Sequence, residues 1–245
     1  MLFLTHMDEA SPENLLLKNK EIWFIPAAIV VAGAILAITT YSFRHKALVE
    51  TSVKGDITLM RPVGPIDHIV GNPSAPVMLV EYSDIDSAYS KSFQATMEQL
   101  MTEYAPGSKV AWVYRHLPLI DQHPNSASHA EAAECVNSLG GQTMFYRFID
   151  SLQAKTPASG QFNPRDYKSV VTSLGLDNVK FTECLTNHTF QNRVSADFAN
   201  GLAIGAGGSP FSVLLIKGQE PVTIDGAIPY DAMKKILDKA IGEVK

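Results

Sequence analysis

From Ile22 to Phe43 the chain reads IWFIPAAIVVAGAILAITTYSF and carries no charged side chain. About 20 apolar residues, at 1.5 Å rise each, cross the ~30 Å hydrocarbon core of a bilayer. Residues 22–43 are therefore expected to form a single transmembrane helix. Trp23 and Tyr41 lie near its two ends, where interfacial aromatics usually sit. A cleaved signal peptide fits less well, because the apolar run is long, starts late and is followed by no Ala-x-Ala site. A buried core helix of this length without one charge is rare. Orientation is not given by the flanks: Lys18 and Lys20 precede the span, and Arg44, Lys46 and Lys54 follow it. Large domains in any case translocate largely regardless of such charges.

The span divides the chain. Residues 1–21 form a short polar tail containing Ser11-Pro12-Glu13, too poor in apolar residues to fold alone. Residues 44–65 read as a linker that ends in the breakers Arg61-Pro62-Val63-Gly64-Pro65. The folded domain is expected over residues 66–245, with a helical insertion at about 120–203. A formal net charge of −5 leaves no basic stripe to neutralise phosphates, which argues against nucleic acid as a partner.

Inside the domain, Val77-Met78-Leu79-Val80-Glu81-Tyr82 reads as a buried strand. Tyr89, Phe93, Met97, Leu100, Met101 and Tyr104 then recur at helical spacing, and Lys109–Tyr114 is a second strand. Strand, helix, strand in that order implies a parallel pair joined by a right-handed crossover. The middle is helical: residues 127–139, residues 144–152, a helix opened by Pro164 with Asn163 as cap, a short one capped by Asp177, and residues 190–202. Phe211–Ile216 and Pro221–Asp225 read as a hairpin, and Ile228–Ile241 as a closing amphipathic helix. Two βαβ-type halves around a helical insertion make an α/β fold with one extra helical layer.

Glu81-Tyr82-Ser83-Asp84-Ile85-Asp86-Ser87-Ala88-Tyr89-Ser90-Lys91-Ser92-Phe93 resembles the DsbA-like thioredoxin-fold oxidoreductases, which read roughly E-F-S-D-F-x-C-P-Y-C-x-x-F there. The lead-in Asp67–Val77, the segment Tyr114–Leu119 with His123-Pro124-Asn125, and the pieces Ala132–Cys135 and Phe181–Leu185 resemble the same family in order. Gly208-Ser209-Pro210 falls where that family carries its cis-proline. The resemblance covers residues 66–245 and implies a thioredoxin-like fold with a helical insertion.

The departure lies at the point of chemistry. Ser87 and Ser90 stand at the places of the two redox cysteines, and Ala88 at that of the intervening proline. Disulfide exchange needs a thiolate made acidic at a helix N-terminus. A serine hydroxyl ionises far higher and forms no stable disulfide analogue, so no catalytic residue is expected at this site. Ser87 makes sense instead as a helix N-cap. Glu81 matches the family's buried proton-handling carboxylate, or is simply a buried acid satisfied by its neighbours or protonated. Ser209-Pro210, with Tyr89 as an apolar anchor, remains a candidate peptide-binding edge, because the backbone before the family's cis-proline pairs with extended chains without using sulfur. The other reading is that the cis bond merely shapes a turn.

Cys135 and Cys184, the only cysteines, fall on insertion helices where many relatives carry a structural disulfide. An even count behind a membrane anchor also favours pairing, against the alternative of two buried free thiols. The bond implies an oxidising compartment: the domain outside the cytoplasmic (inner) membrane of a bacterium, with residues 1–21 inside. No metal or cofactor is expected. His116, His123 and His129 lack zinc spacing, and no Walker A or G-x-S-x-G motif is present. The glycines of Gly205-Ala206-Gly207-Gly208 precede a strand rather than open a helix, which disfavours a phosphate cradle.

Three functions follow. The first is a non-catalytic module that holds an extended polypeptide, chaperone-like, or serves an envelope complex. The second is a thiol-disulfide oxidoreductase using Cys135 and Cys184. The third is a structural subunit of a membrane complex in which the span matters most.

Overall fold

β2 (Val77–Ser83) and β3 (Val110–His116) run parallel at the centre of a five-stranded sheet, with Val77 opposite Val110 and Ser83 opposite His116. The computed structural model describes residues 55–156 and 162–244. β1 (His68–Gly71) pairs antiparallel with β3, β4 (Phe211–Ile216) antiparallel with β2, and β5 (Val222–Asp225) antiparallel with β4, giving the order β1-β3-β2-β4-β5. The crossover from β2 to β3 is helix α1 (Ala88–Tyr104). The second half differs from the βαβ unit expected from the sequence. It is the expected β4–β5 hairpin followed by the expected closing helix, α7 (Tyr230–Glu243), and not a βαβ unit, since the five residues between the strands are too few for a crossover.

Between the halves lie α2 (Ser126–Gly140), α3 (Gln142–Lys155), α4 (Tyr167–Ser173), α5 (Asn178–Thr186) and α6 (Gln191–Ala203). Two anticipated caps are present: Asn163 accepts from the Arg165 N–H in the 3-10 turn Pro164–Asp166 that leads into α4, and Asp177 accepts from those of Val179 and Lys180 at the start of α5. A covalent bond joins Cys135 of α2 to Cys184 of α5, with Cα atoms 5.9 Å apart.

Because strand side chains alternate in direction, the central strands supply both faces of the core. Val77, Leu79, Val110, Trp112 and Tyr114 pack with Phe93, Met97, Leu100, Phe145, Phe148 and Leu237 on one face. Val80, Tyr82, Val113, Phe211 and Val213 pack on the other with Leu117 and Ile204. Each fully buried aromatic or branched aliphatic side chain contributes about 1.5–3 kcal/mol.

The expected linker, residues 44–65, is not a linker over its second half. Ile57, Met60 and Val63 pack against the second face of the core. The Asp56 N–H donates to the Ala203 carbonyl at 2.9 Å, and the Arg61 N–H to Asn200 Oδ1 at 3.0 Å. Gly55 sits so close to Gly205 that a Cβ on Gly55 would lie 2.1 Å from the Gly205 nitrogen, an approach only glycine allows. Arg115 anchors the segment. Fully buried, it donates to both carboxylate oxygens of Asp67 (2.9 and 3.1 Å), to the Tyr82 hydroxyl and to the Pro62 carbonyl. Arg61 adds ion pairs with Asp67 and Asp197, both at 2.8 Å. The prolines and glycine that signal a break thus mark an irregular but bonded strap. The expected span, residues 22–43, lies outside the described residues. Among the described residues, no helix is long and apolar enough to cross a membrane.

Candidate functional site

The carboxyl end of β2 turns through Asp84–Asp86 into the N-terminus of α1, and the turn is tightly bonded. Asp84 Oδ1 accepts from the Asp86 N–H, and Oδ2 from the Leu119 N–H at 2.8 Å, with His123 Nδ1 2.9 Å away. Asp86 in turn faces His129 Nδ1 at 2.8 Å. These contacts fix where α1 begins. Ser87 caps it, its hydroxyl oxygen accepting from the Ser90 N–H at 3.3 Å.

Ser87 and Ser90 are both buried and both bonded to the loop that precedes β4. Ser87 Oγ donates to the Ser209 carbonyl at 3.2 Å, and Ser90 Oγ lies 2.7 Å from Ser209 Oγ. Ser209 Oγ also accepts from the Asp84 N–H at 2.6 Å. The Ser209-Pro210 peptide is cis. The hydroxyls of Ser87 and Ser90 are thus both tied to Ser209, at the two positions that the sequence resemblance assigns to a dithiol. Hydroxyls joined in this way exchange hydrogen bonds but not electrons, and no free cysteine is present.

Tyr89 is the contrast, 71% exposed at the edge of the same site. It borders a groove of about 630 Å³ whose wall is the glycine loop Gly205, Gly207 and Gly208, continuing along Ser209, Pro210 and Asp225. A Cβ at Gly207 or Gly208 would meet nothing within 4 Å, so the loop leaves open space beside its backbone. Asp225 faces Phe211 in the β4–β5 register, and the Gly226 N–H donates to the Pro210 carbonyl at 3.0 Å. Tyr89, Ser209 and Pro210 are therefore together on one groove. The Ser209 side chain and Asp225 belong to it as well. Asp225 lies more than a hundred residues from Ser87, so no local pattern marks it, whereas Ser209 stands out in the sequence beside Pro210.

Glu81 does not join the serines. It is fully buried on the Trp112 face of β2, where Oε2 accepts from the indole N–H at 2.8 Å and Oε1 has no partner. Burial raises its carboxyl to about 7, against hydrogen bonds from Ser83 and Trp112 that favour the ionised form.

The histidines are dispersed among separate acids: His123 with Asp84 and His129 with Asp86, while His116 shares Glu134 with His68. The nitrogens of His68 and His116 and an oxygen of Glu134 lie within 4.8 Å of one another, a spacing that a metal could use. Arg193 already supplies the cation there. Its Nε is 2.9 Å from Glu134 Oε1, and its Nη2 2.9 Å from His68 Nε2. Burial alone would raise Glu134, but the hydrogen bonds and charge of the two imidazoles hold it down at about 2. Burial lowers the pKa of His68 against the opposing pull of Glu134. The donor set is served by the guanidinium.

With this geometry in view, the chain belongs to the thioredoxin family: residues 65–239 match the family described as Thioredoxin. Within it, the fold is DsbA-like. DsbA2 of Pseudomonas aeruginosa superposes with a TM-score of 0.62 at 20% identity, over 74% of this chain and 98% of that one. BdbD of Bacillus subtilis gives 0.62 at 19% over 78% and 97%, and alpha-DsbA1 of Wolbachia pipientis 0.63 at 17% over 76% and 96%. Identities this low show the fold alone. Closer in sequence is a protein named Na(+)/H(+) antiporter NhaA 1 from Salinispora arenicola, 34% identical over 168 residues, which are 68% of this chain and 24% of that protein. A Herminiimonas arsenicoxydans protein named Na(+)/H(+) antiporter NhaA is 32% identical over 63% of this chain and 23% of its own length. The chain therefore spans about a quarter of the curated relatives it matches.

Proposed function

We propose that this protein is a redox-silent polypeptide-binding module, tethered by residues 22–43 to a bacterial cytoplasmic membrane with its thioredoxin domain on the extracytoplasmic side. One observation carries the reading: the two positions where thiols would act are serines bonded into the Ser209 loop, yet Tyr89 stays exposed on an open groove along the cis-proline turn. An extended chain laid there pairs with backbone and packs an apolar side chain on Tyr89, and neither contact needs sulfur. The Cys135–Cys184 bond favours an oxidising compartment. The same bond makes a poor redox pair, because Cys135 is 1% exposed and Cys184 half-buried, unlike an exposed, acidic dithiol. Similar segments form part of proteins named as Na(+)/H(+) antiporters, which favours a client that moves ions across a membrane.

The test uses the full-length protein in non-ionic detergent and fluorescent peptides taken from extended segments of membrane proteins. Tyr89→Ala should weaken peptide binding by about 1–3 kcal/mol, the range for an anchoring aromatic, without changing the circular dichroism spectrum. Insulin reduction should stay at buffer background. Turnover abolished by thiol alkylation would refute redox silence, and unchanged peptide affinity in Tyr89→Ala would leave the groove without a role.

A further inference from the structure

A second cavity opens away from the serine site, between α1, α3 and the strands β1 and β3. It encloses about 470 Å³, within the usual range for small-molecule sites. Val70 and Met101 form apolar walls, and Trp112 and Tyr146, with ring centroids 5.4 Å apart, supply an aromatic floor. The Trp112 N–H is engaged by Glu81, so the indole offers the cavity ring surface rather than a donor.

Two exposed carboxylates, Glu98 of α1 and Asp150 of α3, are also among the lining residues. One amide holds them together: Gln94 Nε2 donates to Glu98 Oε1 at 3.0 Å and to Asp150 Oδ1 at 2.7 Å. An amide orients two anions but neutralises neither. Among the described residues no ion pair engages Glu98 or Asp150, and Arg147, which also lines the cavity, pairs with neither. Burial, and then the charge on Glu98, push the Asp150 carboxyl up to about 6, as befits an acid that lacks a counter-charge.

A pair of carboxylates bridged by one amide and lining the same cavity as two aromatic rings has an organic cation with a flat apolar body as its chemical complement. We propose that this cavity is a binding site for an arylalkyl ammonium ligand. Its ammonium group sits between Glu98 and Asp150, and its ring rests against Trp112 and Tyr146. Arg147 sets the selectivity, because its charge opposes a second cationic group on the same ligand. The site shares no residue with the groove beside Tyr89, so either can fail without the other.

Ligand-observed NMR on the full-length protein in detergent tests this with phenethylamine and its neutral isostere, phenethyl alcohol. The amine should bind saturably and at least about tenfold more tightly than the alcohol, the effect of about one desolvated charge contact. Glu98→Gln with Asp150→Asn should erase that preference while leaving the circular dichroism spectrum intact. Met101→Trp, which fills the cavity, should remove the binding of both probes. Equal affinity for amine and alcohol, a preference that survives the double substitution, or no saturable binding of the amine would overturn the assignment.

Discussion

Replacing Glu81 with Gln should change how stability depends on pH, and the size of the effect follows from the burial of this one carboxyl. Glu81 is 0% exposed, and burial raises its pKa from 4.5 to about 7. Between those values the unfolded chain has released a proton that the native chain still holds. Folding there takes up a proton, so stability is fully present below pH 4.5 and falls as pH rises towards 7. The rise of about two and a half pKa units, at 1.36 kcal/mol per unit, corresponds to roughly 3 kcal/mol. Gln cannot ionise in either state, and its amide oxygen can still accept from Trp112 Nε1. The absolute stability of the variant also carries the cost of placing an amide where Oε1 has no partner, so the diagnostic quantity is a difference. The stability of Glu81→Gln minus that of the natural protein should grow by ~3 kcal/mol between pH 4.5 and pH 8. Urea unfolding of the full-length chain in non-ionic detergent, followed by far-ultraviolet circular dichroism at a series of pH values, measures it. A difference that stays level across that range would show that Glu81 ionises normally and that its desolvation is offset by something other than the contacts described above.

The disulfide closes a loop of 49 residues, so replacing both Cys135 and Cys184 with Ala should cost about 2–4 kcal/mol in the same urea experiment. Protein isolated without reductant should take up no alkylating agent until it is reduced. Arg115→Leu leaves buried Asp67 with only the half-buried Arg61 as counter-charge, which should cost about 3 kcal/mol, the low end for breaking a buried pair. The same change should expose the strap at residues 55–67 to proteolysis, because Pro62 loses its partner as well. Unfolding midpoints close to those of the natural protein would refute the anchoring role.

Several features were legible in residues 66–245 because they are encoded locally. The apolar run 77–82 has nowhere to go but the middle of a sheet, and helical spacing from Tyr89 to Tyr104 puts Phe93, Met97 and Leu100 on one buried face. Asn163 and Asp177 announce their helices because a cap bonds to backbone only two or three residues on. The serines at positions 87 and 90 are likewise read directly, since the residue type alone decides whether a side chain can form a disulfide.

Other features needed the folded chain, because they join residues that are distant in sequence. β1 is short and half-buried, and only its pairing with β3 makes it a strand. The strap at 55–65 looks like a linker because its breakers satisfy their backbone groups against α6 and Arg115, a partner more than fifty residues from Pro62. Ser209 stands out in the sequence only for the proline after it; its hydroxyl gains a role when β4, brought back beside β2, sets it against Asp84 and Ser90. The cavity between α1 and α3 is of the same kind, with Glu98 and Asp150 held by Gln94. Periodicity and residue chemistry act over a turn or two of chain and so survive in the sequence. Hydrogen-bond networks and cavities are set by which surfaces the tertiary packing brings within about 3 Å, and that distance exists only once the chain has folded.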